Sequence, residues 1–180
     1  MPDATRQPGL LDLVVADGRP LRQFTAFALL FSGAFALFLS LRQEFLPHDV
    51  AFLGMTPAEL CAVAECRVTA FMFHDRVAFG GALIAIAVLY LWLVAEPLPS
   101  GERWAWTAFA VSGALGFLSF LAYLGYGYLD SWHGVGTAFL LPLFLFGLAR
   151  ARKLVSAPTP AVLPRLSGRE RLGRLALAAT

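Results

Sequence analysis
The chain has 180 residues, 58% of them hydrophobic and 14% charged, with a mean hydropathy of +0.68. Soluble domains are nearer half apolar and about a quarter charged, so this composition excludes a large water-soluble domain beside the apolar part. The formal net charge of +2 is uninformative; the distribution of the charges is not.

Residues 1–22 are mixed and polar, broken by Pro8-Gly9 and Gly18-Arg19-Pro20. Between the breakers, Leu10, Leu11, Leu13, Val14 and Val15 fit either a short helix on a membrane surface or a partly ordered tail. Residues 24–41 are eighteen uncharged residues between Arg22 and Arg42. A hydrocarbon core of about 30 Å needs about 20 helical residues at about 1.5 Å each, so this run reads as a first span. A cleaved signal segment fits less well. Its apolar region is usually shorter, and Arg42-Gln43-Glu44 follows here in place of a small-x-small cleavage site.

Residues 42–68 form the longest polar connection. Pro47 forces Leu46 into extended backbone, and Pro47-His48-Asp49 reads as a turn. Thr56-Pro57-Ala58-Glu59 is a helix start: Thr56 caps, Pro57 suits the first helical position, and Glu59 completes a capping box. The second span covers 69–95 and holds nineteen uncharged residues at 77–95. An unbroken helix from 57 to 95 would be about 58 Å long and would overshoot the membrane, so it must project, bend, or break between Cys61 and Thr69. His74, Asp75 and Arg76 fall one or two turns inside this helix. Ionisable groups at such depth are costly and mark candidate functional positions.

Residues 96–101 form a hinge rich in Pro, Ser and Gly. Trp104 and Trp106 open a third span, 104–129, as interfacial aromatics, and Tyr123, Tyr126, Tyr128 and Trp132 mark its far interface. A tight connection at 130–134 leads into a fourth span, 132–149, which Pro142 should kink. Ser32/Ala36, Gly81/Ala85 and Ser112/Gly116 are small-xxx-small pairs for close helix approach, and Gly80-Gly81 reads as a packing notch in preference to a hinge. After Arg150 come Arg152 and Lys153, then prolines at 158, 160 and 164. Ser167-x-x-Glu170 can open a short helix carrying Arg169, Arg171 and Arg174.

The expected architecture is therefore an all-α integral membrane protein. It comprises an N-terminal segment 1–23, a four-transmembrane-helix bundle 24–150 and a basic tail 151–180. Four spans put the N-terminus, the 96–103 turn and the C-terminus on one side, with eleven of the fourteen basic residues. Arg42, Arg67 and Arg76 fall on the other. The positive-inside rule then places both termini in the cytoplasm, and the cytoplasmic (inner or plasma) membrane is the expected location. The basic tail is placed to meet anionic lipid heads. Nucleic-acid binding is disfavoured, because the basic residues flank apolar spans and lack stacking aromatics.

The same alternation collects His48, His74 and His133, the three histidines of the chain, near the outer face. Asp49, Asp75, Asp130 and Glu44 join them, as do Cys61 and Cys66. Three His/Asp pairs result: His48-Asp49, His74-Asp75 and Asp130-x-x-His133. His74, Asp75, Arg76 and His133 are the candidate catalytic residues, with His74 expected to face inward. His48, His74, His133 and Asp130 are the candidate metal ligands. Zinc takes three or four such N and O ligands, each imidazole oriented by a second-layer partner. A haem would need His74 and His133 on facing helices at equal depth, and no CxxCH allows covalent attachment. Quinone reduction by a His/Asp relay is a further option. No regular metal spacing is present, and a polar cap that only ties helix ends together accounts for the same residues. Cys61 and Cys66 can pair only if the helix breaks between them, since residues five apart on one helix point apart; without a break they are two reduced cysteines. A redox CxxC is absent. Two functional readings stand: an accessory or structural membrane subunit that docks a membrane protein partner, or a metal- or cofactor-dependent enzyme acting at the outer face on a lipid-like substrate.

Overall fold
The computed structural model describes residues 17–127 and 131–155. The expected surface helix at 10–15, the basic tail beyond 155, Tyr128 and Asp130 lie outside the described residues. Six helices follow one another: α1 Arg19–Arg42, α2 Pro47–Leu53, α3 Pro57–Val63, α4 Arg67–Ala95, α5 Arg103–Gly125 and α6 Ser131–Arg152. No strand occurs among the described residues. α1, α4, α5 and α6 are long and apolar enough to cross a membrane.

The local signals explain the helix ends. Gly18 sits at φ +79°, a left-handed position natural to glycine, and starts α1. Thr56 and Glu59 form the capping box of α3. Glu59 N–H donates to Thr56 Oγ1 at 3.3 Å, and Thr56 N–H donates to Glu59 Oε2 at 2.7 Å. Leu46 is extended before Pro47, as expected. Pro47-His48-Asp49 does more than turn, however: it is the first turn of α2, where Asp49 Oδ2 accepts the Leu46 N–H at 2.9 Å. A carboxylate in the first turn suits the positive end of a helix.

The break before the second long helix falls at Ala64–Cys66. α3 stops at Val63, Glu65 and Cys66 take left-handed φ of 49° and 58°, and α4 starts at Arg67. Left-handed backbone costs a non-glycine residue about 1–2 kcal/mol. The reversal brings Cys61 and Cys66 into a disulfide, which ties the two sides of the break together.

α1 runs along α4, α6 packs on α1, and α5 packs on α6. The α1/α4 seam is a glycine contact. A Cβ on Gly33 would lie 2.6 Å from the Gly80 carbonyl oxygen, and a Cβ on Gly80 would lie 2.8 Å from that of Gly33. Gly80 thus supplies the expected notch, while Gly81 faces open space, as does Gly116. The buried core gathers Ala26, Tyr90, Leu93, Val94, Phe109 and Phe144 from all four long helices. At its edge the hydroxyls of buried Tyr90 and exposed Ser112 share a hydrogen bond of 2.6 Å between α4 and α5. The outward faces are as apolar as the core. Phe27, Phe31, Phe35 and Phe38 are exposed on α1, with Phe31 at 69%, and Val77, Phe79 and Val88 on α4. A helix of a soluble protein presents polar residues on that side.

Candidate functional site
The polar groups converge where α1 ends and α4 begins. α2 lays Asp49 against α4, and Arg76 reaches it: Arg76 Nη2 donates to Asp49 Oδ2 at 2.7 Å. Asp49 is 7% exposed and Arg76 16%, so this pair is largely out of water. Arg76 Nη1 also donates to the Glu44 carbonyl at 2.9 Å. One arginine therefore holds both the exit of α1 and the start of α2. The Asp49 carboxylate takes a charged donor and a backbone N–H on one oxygen, a strong arrangement because the acceptor is ionised.

Two imidazoles stand beside the clasp. His48 Nε2 lies 3.7 Å from Asp49 Oδ1. The His48 and His133 rings meet edge to face, 5.6 Å between centres and 83° between planes. The Phe120 ring is 6.2 Å from His133. His48, Asp49, Arg76 and His133 are thus brought together at one end of the long helices.

His74 and Asp75 are not brought in. Both are exposed on α4, and no hydrogen bond or ion pair holds either among the described residues. The inward residue of the triplet is Arg76, not His74. Helix geometry gives the reason: successive residues point about 100° apart, so His74 and Arg76 project to nearly opposite sides. The counter-charge that turns the helix this way is Asp49, on a different element. Asp130, a candidate metal ligand, lies outside the described residues. Among the described residues no three His, Cys, Asp or Glu side chains gather as a metal-binding set.

The opposite end holds a residue the sequence reading counted only as an orienting charge. Arg22, near the start of α1, is 1% exposed. Its Nη1 donates to the Gly147 carbonyl at 3.0 Å and, less closely, to that of Asp17 at 3.4 Å. Its Nε and Nη2 are buried, with no hydrogen-bond partner among the described residues. The signal was present in Gly18 and Gly147: a Cβ on Gly18 would meet the Gly147 carbonyl at 2.8 Å, and this close approach of α1 and α6 encloses the guanidinium.

No family model, curated protein or solved structure matches the chain.

Proposed function
We propose that this chain is a small multi-pass membrane protein working as an accessory or structural subunit, with α4 presenting a docking face to a membrane protein partner. The observation that carries this reading is the outward position of His74 and Asp75. They lie about two turns into an apolar helix, where an unpaired ionisable group facing lipid is costly, about 2.5–3.5 kcal/mol for Asp at mid-membrane on insertion scales and less toward the ends. A partner helix carrying a donor or cation would remove that cost. The inward polar groups are already spent on one another through Asp49, Arg76 and the Glu44 carbonyl, which supports a structural role for the clasp. The apolar outer faces support membrane insertion. The charge distribution supports a cytoplasmic (inner or plasma) membrane with both termini inside and the basic tail on anionic lipid.

Site-specific photo-crosslinking in native membranes tests the docking face. A crosslinker at position 74 should give one discrete protein adduct that weakens in Asp75→Ala. A crosslinker at exposed Phe31 should give lipid adducts only. Lipid adducts alone from both positions would sink the reading. Reporters after Lys153 and within 97–101 should read cytoplasm and one near Met55 the outside.

The alternative reading is a metal- or cofactor-dependent enzyme acting at the outer face on a lipid-like substrate. The edge-to-face contact of His48 and His133 is the observation in its favour. Two imidazoles at this separation are close enough to share one ion, with further ligands still needed for zinc. Metal analysis and visible absorbance of the purified protein separate the two: stoichiometric zinc, or a haem band, lost in His48→Ala and His133→Ala would favour the enzyme.

A further inference from the structure
The clasp and the docking face leave the Cys61–Cys66 disulfide unused. Cys61 belongs to α3, and Cys66 is the residue just before α4. Cys66 is exposed and Cys61 half-buried, so the bridge lies at the surface. Its surroundings are open too: Ala62, Val63, Glu65 and Arg67 are all exposed. Arg67 is taken by its neighbour, donating from Nη2 to Glu65 Oε2 at 2.7 Å. Neither cysteine belongs to the buried core. A thiol in solution therefore reaches the bridge without the four long helices opening.

The bridge closes a backbone path that the local sequence does not favour. Residues 58–68 contain no glycine or proline, and the Ala, Leu, Glu and Arg among them are good helix formers. Yet Glu65 and Cys66 stand at φ 49° and 58°. The other left-handed positions among the described residues are Gly18, Gly54, Gly101, Gly127 and Gln43. Such backbone is unfavourable wherever a Cβ is present. Two bonds close the reversal: Cys66 N–H donates to the Cys61 carbonyl and Arg67 N–H to the Ala64 carbonyl, each at 3.0 Å. Splitting one helix into two also costs ladder bonds, because the last carbonyls of the first and the first N–H groups of the second lose their helical partners. Once the sulfurs part, a right-handed path through 64–66 joins α3 to α4 as one helix from Pro57 to Ala95. The added residues 57–66 then project about 15 Å beyond the start of α4. Gly54 keeps the movement local. It stands at φ 66° between α2 and α3, with open space where a Cβ would lie. α3 can swing there while Asp49 and Arg76 hold α2.

We propose that Cys61–Cys66 is a redox switch opened by a dithiol: reduction fuses α3 with α4, and oxidation restores the break. One thiolate of the dithiol attacks the exposed Cys66 Sγ. A mixed disulfide forms, the Cys61–Cys66 bond breaks, and Cys61 leaves as a thiolate that takes a proton from water. The second thiolate of the dithiol then attacks the dithiol's own bridging sulfur. The dithiol ends as a disulfide, and Cys66 leaves as a thiolate and is protonated in turn. Two electrons pass from the dithiol to the cysteine pair. The return takes a disulfide as oxidant and runs through the same steps reversed. The switch requires neither membrane insertion nor the docking face at His74 and Asp75.

The test uses the full chain in detergent micelles, with dithiothreitol as the dithiol. Millimolar dithiothreitol should open the pair in the folded protein, read on a gel as two added maleimide–polyethylene glycol masses. A pair that opens only after denaturation would overturn the proposal. Hydrogen exchange followed by mass spectrometry reads the fusion. On reduction the amides of 64–69 should gain protection by about tenfold, the scale of relieving one left-handed non-glycine residue, while those of α2 stay unchanged. Equal or weaker protection at 64–69 would overturn the switch and leave a bridge that only ties a loop. A Cys61→Ser/Cys66→Ser variant should show the reduced pattern without dithiothreitol; the oxidised pattern in that variant would likewise overturn it.

Discussion

Two arginines among the described residues are largely or fully buried at opposite ends of the long helices, and they are solvated in different ways. Arg76 meets a carboxylate, Asp49, and a carbonyl, Glu44. Among the described residues Arg22 donates to carbonyls, those of Gly147 and Asp17, and its Nε and Nη2 have no hydrogen-bond partner. Removing one partner from a buried ion pair strands the other charge, whereas replacing a poorly paired buried charge by an apolar side chain of similar size is often neutral or stabilising. Burial alone therefore does not rank the two residues; the partner does. Arg76 acts as a clasp for the 43–56 connection. Arg22 acts as a spacer at the close approach of α1 and α6.

The sharpest way to break this comparison is at the carboxylate. Asp49→Ala should leave Arg76 uncompensated and lower stability by about 3 kcal/mol, read as the unfolding midpoint of the detergent-solubilised protein. An Asp49→Ala/Arg76→Met double variant should recover part of that loss. No recovery would mean the pair is not coupled.

Arg22→Met should change stability by only about 1 kcal/mol in either direction, because two carbonyl hydrogen bonds and two unpaired buried donors disappear together. A loss as large as that of Asp49→Ala would show that Arg22 has an anionic partner in solution. His74→Ala should fall within about 0.5 kcal/mol in detergent, as for exposed side chains generally, and a crosslinker placed at position 75 of that variant should give a weaker protein adduct than in the unaltered chain. A large loss in detergent would return His74 to the interior.

The smallest effect is a pH dependence at the α3 cap. The Thr56 backbone N–H, then its hydroxyl, hold the exposed Glu59 carboxyl below its ordinary value of 4.5. A carboxyl lowered by folding adds stability above its unfolded value, and that contribution is lost as pH falls through the folded one. Protection of the α3 amides, corrected for the intrinsic pH dependence of exchange, should therefore fall below about pH 4.5, and Glu59→Gln should flatten that dependence. Exchange independent of acid would remove the capping box from the account.

The four long helices were legible because uncharged runs of membrane length depend on composition alone, and arginine or lysine bounds most of them. The break near 64–66 was legible from length, since an unbroken helix overshot the membrane; the disulfide followed once the break existed. The site was legible in part. Alternating helices deliver His48, Asp49, Arg76 and His133 to one end whatever the packing angles. Which member of His74-Asp75-Arg76 faces inward was not legible, because it depends on the rotation of α4 about its own axis. That rotation is set by the Gly33/Gly80 seam with α1 and by Asp49 arriving on α2.

The sequence by itself determined an all-helical chain with four apolar helices of spanning length, the capping box at Thr56 and Glu59, and the extended backbone of Leu46 before Pro47. These follow from local chemistry: hydrophobic length, proline and glycine positions, and side chains that hydrogen-bond their own backbone. Only the tertiary structure decided that Arg76 and not His74 joins Asp49, and that Arg22 is enclosed by two glycines. Each of these is a contact between helices distant in sequence, governed by helix rotation and by the few positions where a missing Cβ lets two backbones touch.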